Sequence, residues 1–204
     1  MPEFTPWPKT YRLFRDIVVS EKLDGTNAAI GIEYKPPGSP IGNHANYTTA
    51  FVGDDAYLFY AQSRKRIIVP EADNFGFAHW AFNNASELVE LLGEGLHFGE
   101  WWGRGIQRNY HLDERRFSLF NSEKHEHVNA VVGGVPVGPV PVLYSGPFSG
   151  DMISTSLARL AIGGSVAAPG FMSPEGVCVY HTASRSVSKV TLDKNDAGKW
   201  ELSN

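Results

Sequence analysis

Asp16-Ile17-Val18-Val19-Ser20-Glu21-Lys22, followed by Leu23-Asp24-Gly25-Thr26-Asn27 and the run to Tyr34, is the stretch on which the reading of this chain turns. Asp16 to Lys22 and Asn27 to Tyr34 are rich in β-branched residues and read as two strands, with the turn-prone pair Asp24-Gly25 between them. A lysine at the end of a strand is held on a rigid element and aimed at whatever cleft the turn borders. An amine becomes a nucleophile when burial or nearby cations leave it neutral. The plain alternative for Lys22-Leu23-Asp24-Gly25 is a surface turn.

Outward from that stretch, strand signals dominate. Tyr57 to Gln62, Arg66 to Val69, Leu96 to Trp102, Arg116 to Asn121, Val140 to Tyr144, Gly176 to His181 and Ser186 to Leu192 read as strands. Pro36 to Pro40 is a loop that the polar residues Gly42 to Thr49 extend, and Val131 to Pro141 reads as a flexible hairpin or loop. Two helices stand out: Ser86 is placed to cap Glu87 to Leu92 before Gly93, and Asp151 to cap Met152 to Ile162 before Gly163-Gly164. With no repeat and no long linker, residues 1–204 read as a single α+β domain with mostly antiparallel sheets and a few flanking helices.

Composition narrows the function classes. The 204 residues are 42% hydrophobic, 20% charged and 12% aromatic, which excludes disorder, collagen-like repeats and coiled coil. No apolar run approaches the ~20 residues of a membrane-spanning helix, and the N-terminus has no apolar signal core. One cysteine, Cys178, offers no internal disulfide and no zinc framework, so a reducing cytoplasm is the expected location. The net charge of −4 argues against a protein that coats nucleic acid, though not against an enzyme touching a few phosphates. Cations cluster at Arg64-Lys65-Arg66, at Arg104 with Arg108, and at Arg115-Arg116, each readable as a solvated face.

Three further segments carry chemistry. In His97-Phe98-Gly99-Glu100-Trp101-Trp102-Gly103-Arg104-Gly105-Ile106-Gln107-Arg108, an acid sits among aromatics and leads into a Gly-rich turn with two arginines. Glycines allow close backbone approach to a ligand and arginines suit phosphate oxygens, whereas the plain reading puts a tryptophan in the core. Glu175 precedes the strand Gly176 to His181, and Lys189 lies within the last strand, where an inward lysine is costly unless it meets an anion. Other candidates read as ordinary structure: Lys124-His125-Glu126-His127 as an exposed polar loop, His97 and His181 as strand residues, Tyr110 and His111 as packing or base-stacking groups, and Phe75, Phe77, Trp80 and Phe82 as core or partner surface.

In this order the segments resemble the motifs of the covalent nucleotidyltransferase superfamily of ATP-dependent ligases and mRNA capping enzymes, from about Asp16 to Lys199. Within it the chain is most similar to RNA ligases of the double-strand nick-sealing type. Asn27 stands where DNA ligases and capping enzymes carry arginine, and Gly99-Glu100 with Gly103-x-Gly105-Ile106-Gln107 is closer to RNA ligases. The resemblance implies a nucleotidyltransferase (ATP-grasp-like adenylation) domain acting in RNA repair, with ATP as substrate and a lysyl-AMP intermediate. It implies Lys22 as nucleophile, Glu100 on the ribose, Phe120 stacked on adenine, Glu21 beside the base, Arg64 at phosphate or ribose, and Asn27 assisting the joining of RNA ends. Asp24, Glu100 and Glu175 would hold Mg²⁺ or Mn²⁺ largely through water, and Lys189 would contact the α-phosphate. Such reactions depend on positioning and charge neutralisation, which suits this set of cations and carboxylates.

Departures from the family pattern shape the remaining expectations. The last motif commonly holds Lys-x-Lys, and here Thr191 takes the second place, or Val187 the first, with Lys194 a candidate substitute. Asn121 stands where an acid is common, and only about fifteen residues follow Lys189, leaving room for neither a C-terminal domain nor an oligonucleotide-binding barrel. The expected function is therefore a minimal ATP-dependent RNA ligase joining a 5′-phosphate to a 3′-hydroxyl, its missing C-terminal function open to supply by a separate partner. The alternatives are an adenylyltransferase that does not seal ends and a catalytically inactive ATP- or RNA-binding module.

Overall fold

The computed structural model describes residues 2–39 and 46–193; Lys194 and, of the expected loop, Pro40 and residues 42–45 lie outside them. In chain order the elements are β1 (Asp16–Lys22), β2 (Thr26–Lys35), β3 (Thr48–Val52), β4 (Asp55–Ser63), β5 (Ile67–Ile68), α1 (Phe77–Asn83), α2 (Ala85–Leu92), β6 (Gly95–Gly103), β7 (Arg115–Leu119), β8 (Ala130–Val132), β9 (Val135–Pro139), β10 (Val142–Pro147), α3 (Gly150–Gly163), β11 (Gly176–His181) and β12 (Ser186–Thr191). Among the described residues every strand pair is antiparallel except β7 with β9, so the mixed α+β, mostly antiparallel architecture is as expected.

The turn at Asp24-Gly25 does not close a hairpin. β1 belongs to a four-stranded sheet in the order β10-β1-β11-β12, whereas β2 belongs to an eight-stranded sheet in the order β3-β4-β2-β6-β7-β9-β8, with β5 against β4. The chain accordingly forms two compact units, one built from residues 1–22 and 142–204 and the other from the continuous stretch Leu23–Pro141.

In the discontinuous unit, Ile17, Val19, Val177 and Val179 alternate onto one face of the four-stranded sheet and pack with Leu160 of α3. Helix α3 starts at Ser149, whose hydroxyl accepts from the Met152 N–H at 3.3 Å, and ends at Gly164 with φ 78°. The expected capping residue Asp151 instead lies in the first turn, where its charge suits the helix dipole.

The continuous unit is larger. One face of its sheet places Ala28, Ile30, Ile32, Phe59, Ala61, Trp101 and Phe117 in a core covered by α1 and α2. Trp80 stacks on Trp101 at 5.1 Å, and Phe77 meets both Trp101 and Phe117 within 5.4 Å. Helix α1 has no counterpart in the sequence reading. It follows Gly76 in a left-handed conformation, and the Asp73 carboxylate accepts from the N–H groups of Ala78 and His79 at 2.7 and 2.9 Å. Helix α2 starts two residues earlier than expected, at Ala85 after Asn84, and the Ser86 hydroxyl accepts from the Phe51 N–H instead of capping. Of the two readings of Val131 to Pro141, the hairpin is the one observed: β8 and β9 pair antiparallel about a turn at Gly133-Gly134.

The smaller core rests on five buried side chains, so its one fully buried helix residue carries a large share of it. Leu160→Ala is expected to cost ~2–5 kcal/mol, read as a lowered urea midpoint of unfolding.

Candidate active site

Side-chain alternation along β1 sends neighbours to opposite faces. Glu21 follows Ile17 and Val19 onto the buried face, and Lys22 follows Val18 and Ser20 onto the other. Lys22 pairs across the sheet with Gly176 and, beyond it, Thr191; Ser20 pairs with Cys178 and then Lys189. Cross-strand partners share a face, so Lys22, Thr191, Cys178 and Lys189 lie on one side of this sheet. Lys22 Nζ is 2.6 Å from Glu175 Oε2, the side chains being 21% and 15% exposed. Lys189 is exposed, not turned inward, which removes the desolvation cost that the sequence raised for it. Thr191 stands in the row of Lys22 itself.

The Glu21 carboxylate is engaged within its own unit. It is 1% exposed, and its oxygens accept from the Ser165 hydroxyl at 2.5 Å and from the N–H groups of Val166 and Ala167 at 2.8 and 2.9 Å. It faces away from Lys22, and its partner Ser165 carries no signal in the sequence.

In the continuous unit, Asn27 of β2 pairs with Glu100 of β6, which pairs with Ser118 of β7. These three side chains therefore share the sheet face opposite the Trp101 core. Phe98 lies on the same face, and its carbonyl accepts from the Phe120 N–H at 2.9 Å just past β7. Phe120 is 42% exposed, and Arg64 is exposed immediately after β4. A half-polar face with an accessible ring suits a planar base with hydroxyl and phosphate substituents.

Asp24 is held by the loop that follows β6. Its carboxylate accepts from Arg108 Nε at 2.9 Å, and its N–H donates to the Tyr110 hydroxyl at 2.8 Å. The Gly25 N–H donates to Glu100 Oε1 at 3.0 Å, and a Cβ at Gly25 would stand 2.7 Å from the Trp102 Cβ, so only glycine allows this approach. Gln107, Asn109, Tyr110 and His111 all have positive φ, between 43° and 60°. Four such non-glycine residues in one loop store strain of ~1–3 kcal/mol each, the pattern of a functional segment. Tyr110 is buried edge-on against Trp102, which excludes it from stacking on a base. Both Trp101 and Trp102 are buried, on opposite faces. The only sequence signal for Arg108 and Tyr110 is the Gly-rich turn that carries them.

Among the described residues no three His, Cys, Asp or Glu side chains converge as a ready-made metal cage. Asp24 and Glu175 each face a protein cation, and Glu100 accepts from a backbone N–H. Hard carboxylate oxygens of this kind suit a divalent cation that keeps most of its waters, the mode that the family resemblance implies.

His125 is buried, not part of an exposed loop. His97 Nδ1 lies 2.9 Å from His125 Nε2, while His97 Nε2 faces the Gly93 carbonyl and His125 Nδ1 the Asn121 carbonyl. Three hydrogen bonds need three protons, and two neutral imidazoles bring two. Burial nevertheless pushes His97 down to about 4, with Lys124 acting in the same direction, and also lowers His125. The pair ties β6 to the segment directly after Phe120.

The sequence model of the RNA ligase family matches residues 15–198. A solved structure of a mutant Naegleria gruberi RNA ligase with ATP and Mn is similar in fold, with a TM-score of 0.56 and 18% identity, covering 91% of this chain. The chain spans about half, 53%, of that protein. No curated protein sequence matches the chain. No helix among the described residues is long and apolar enough to cross a membrane.

The histidine pair sets an acid limit. The unfolded chain takes up protons near the ordinary histidine value of 6.5, whereas folded His97 resists until about 4. The unfolded state therefore binds more protons in this window, and stability falls with falling pH across it. The urea midpoint is expected to be lower at pH 5 than at pH 7.5; His97→Phe should flatten that dependence.

Proposed function

The chain belongs to the RNA ligase family, and on that premise we propose that it is an ATP-dependent RNA ligase acting through a lysyl-AMP intermediate on an ATP-grasp-like adenylation fold. The observation that carries the reading is Lys22 of Lys-x-Asp-Gly at the end of β1, 2.6 Å from Glu175 and on the sheet face that also bears Lys189. Lys22 Nζ gives up a proton, for which Glu175 Oε2 is the nearest carboxylate acceptor. Its lone pair then forms the N–P bond to the ATP α-phosphorus while the P–O bond to pyrophosphate breaks. An oxygen of an RNA 5′-phosphate then attacks the adenylyl phosphorus, and the N–P bond breaks as the Lys22 amine takes back a proton. Attack by an RNA 3′-hydroxyl then joins the ends and releases AMP.

Each remaining residue receives a role from the same reading. Phe120 stacks on adenine, Glu100 holds the ribose, Arg64 and Lys189 meet phosphate oxygens, and Asn27 assists the joining step. Since the Glu21 side chain is committed to residues 165–167, any contact it makes with the base falls to its backbone. Asp24, Glu100 and Glu175 are the carboxylates proposed to hold Mg²⁺ or Mn²⁺ through water, which would neutralise charge on the phosphates. Arg108 is then a competitor for Asp24, released or retained as the phosphates arrive. The cytoplasm is the proposed location.

A second reading, an adenylyltransferase that does not seal ends, draws on Thr191. A neutral hydroxyl occupies the row of Lys22 where the family commonly has a second cation. Transfer of label from the adduct to 5′-phosphorylated RNA without a joined product would favour it.

Incubation with α-labelled ATP and a divalent cation is expected to leave a labelled protein band on a denaturing gel. Lys22→Ala should abolish the band, and normal labelling of that variant would remove the nucleophile. Phe120→Ala is expected to raise the ATP requirement by ~1–3 kcal/mol, the worth of a lost aromatic stack, and an unchanged ATP titration would refute its role.

A further inference from the structure

Residues 2–12 form no regular secondary structure, and every residue from 2 to 16 is exposed. The segment nevertheless carries four aromatic rings at three- or four-residue intervals. Phe4 and Trp7 are each 90% exposed, Phe14 79% and Tyr11 49%. Bare rings grouped this closely are the kind of exposed apolar surface that marks an interaction site. Interleaved with them are Lys9, Arg12 and Arg15 against the single carboxylate of Glu3, in a chain whose net charge is −4. The Lys9 ammonium already sits 5.8 Å from the centre of the Tyr11 ring.

The arm springs from a fixed root. The Leu13 carbonyl accepts from His181 Nε2 at 2.8 Å, the Arg15 carbonyl accepts from the Phe148 N–H at 3.0 Å, and Phe14 meets the Phe148 ring edge-on at 6.1 Å. Beyond that root, Pro2, Pro6 and Pro8 fix backbone torsions and favour an extended chain, which lowers the ordering cost of binding. At ~3 Å per residue, successive rings stand roughly 10 Å apart along it. Cations alternating with bare rings match a flexible polyanion that presents flat π-faces.

We propose that residues 4–15 are a docking arm for single-stranded RNA, with Phe4 and Trp7 stacking on bases and Lys9 and Arg12 holding phosphates. The proposal rests on the RNA reading of the preceding section, yet its test is separable from it. The full chain is titrated against a short fluorescein-labelled oligoribonucleotide and the matching deoxy strand, and anisotropy is read at several salt concentrations. Phe4→Ala with Trp7→Ala is expected to weaken RNA binding about tenfold or more while leaving the salt slope in place. Lys9→Ala with Arg12→Ala is expected to lower the log–log salt slope by about 1.4. Both double variants should form the Lys22 adduct as the parent does, because neither touches the nucleotide residues.

Unchanged RNA affinity in both variants overturns the arm and leaves the ligase reading standing. A loss confined to the deoxy strand overturns it as well. So does a concentration-dependent dimer that the ring variant abolishes without affecting RNA affinity, since the occupant is then a second copy. Absence of any adduct in the parent removes the ligase reading, while the affinity comparison still decides the arm.

Discussion

A fully buried carboxylate must find its hydrogen bonds inside the protein, and Glu21 finds three. Donors to a charged group are worth ~1.5–3 kcal/mol each, and an unpaired buried charge costs more than any single contact in the small core can return. Satisfying Glu21 therefore fixes residues 165–167 against the end of β1. With Glu21 locked on the buried face, strand alternation leaves Lys22 no choice of side. Register with β11 then sets Gly176 opposite it and Glu175 next to its amine.

The same economy of faces governs the larger sheet. Trp101, Phe117 and Ile30 turn to the core under α1 and α2, so Asn27, Glu100 and Ser118 are presented together on the reverse. The first set supplies rigidity, and the second includes residues proposed to carry the chemistry. Strand backbone, not loop, carries Asn27 and Glu100, which makes their spacing a property of register. The exception is Asp24, whose position depends on a loop with four left-handed residues that spends conformational energy to bring Arg108 and Tyr110 to it.

Much of this was readable in the sequence, and the failures have physical causes. β1, β2, β6, β11 and β12 are continuous β-branched or aromatic runs, and their limits emerge within a residue or two. The stop signals at Gly93 and Gly164 hold because φ there is positive. Helix α1 escaped because its capping carboxylate, Asp73, lies outside any local capping pattern and its aromatic residues serve two directions. The turn-prone pair Asp24-Gly25 marks a break between β1 and β2, but local sequence says nothing about which sheet the next strand joins. His125 looked exposed because its burial depends on His97, 28 residues earlier. Lys22, Glu100 and Glu175 stood out from their motifs, whereas Ser165, Arg108 and Tyr110 acquire meaning only through the residues they hold.

The discontinuity of the smaller unit has a consequence for how the chain emerges from the ribosome. Leu23–Pro141 is unbroken and can condense as soon as it is made, with β2, β4 and β6 as near neighbours in sequence. β1 is synthesised first but has to wait: its partners lie at Val142–Pro147 and at Gly176–His181, the latter more than 150 residues downstream. Contacts of such separation form late and slowly. Until β11 arrives, Lys22 has no Glu175 beside it and Glu21 no donors from residues 165–167. Order of synthesis thus withholds the amine's immediate surroundings from a nascent chain, and a truncated product would retain the face of Asn27 and Glu100 without the groups that frame Lys22.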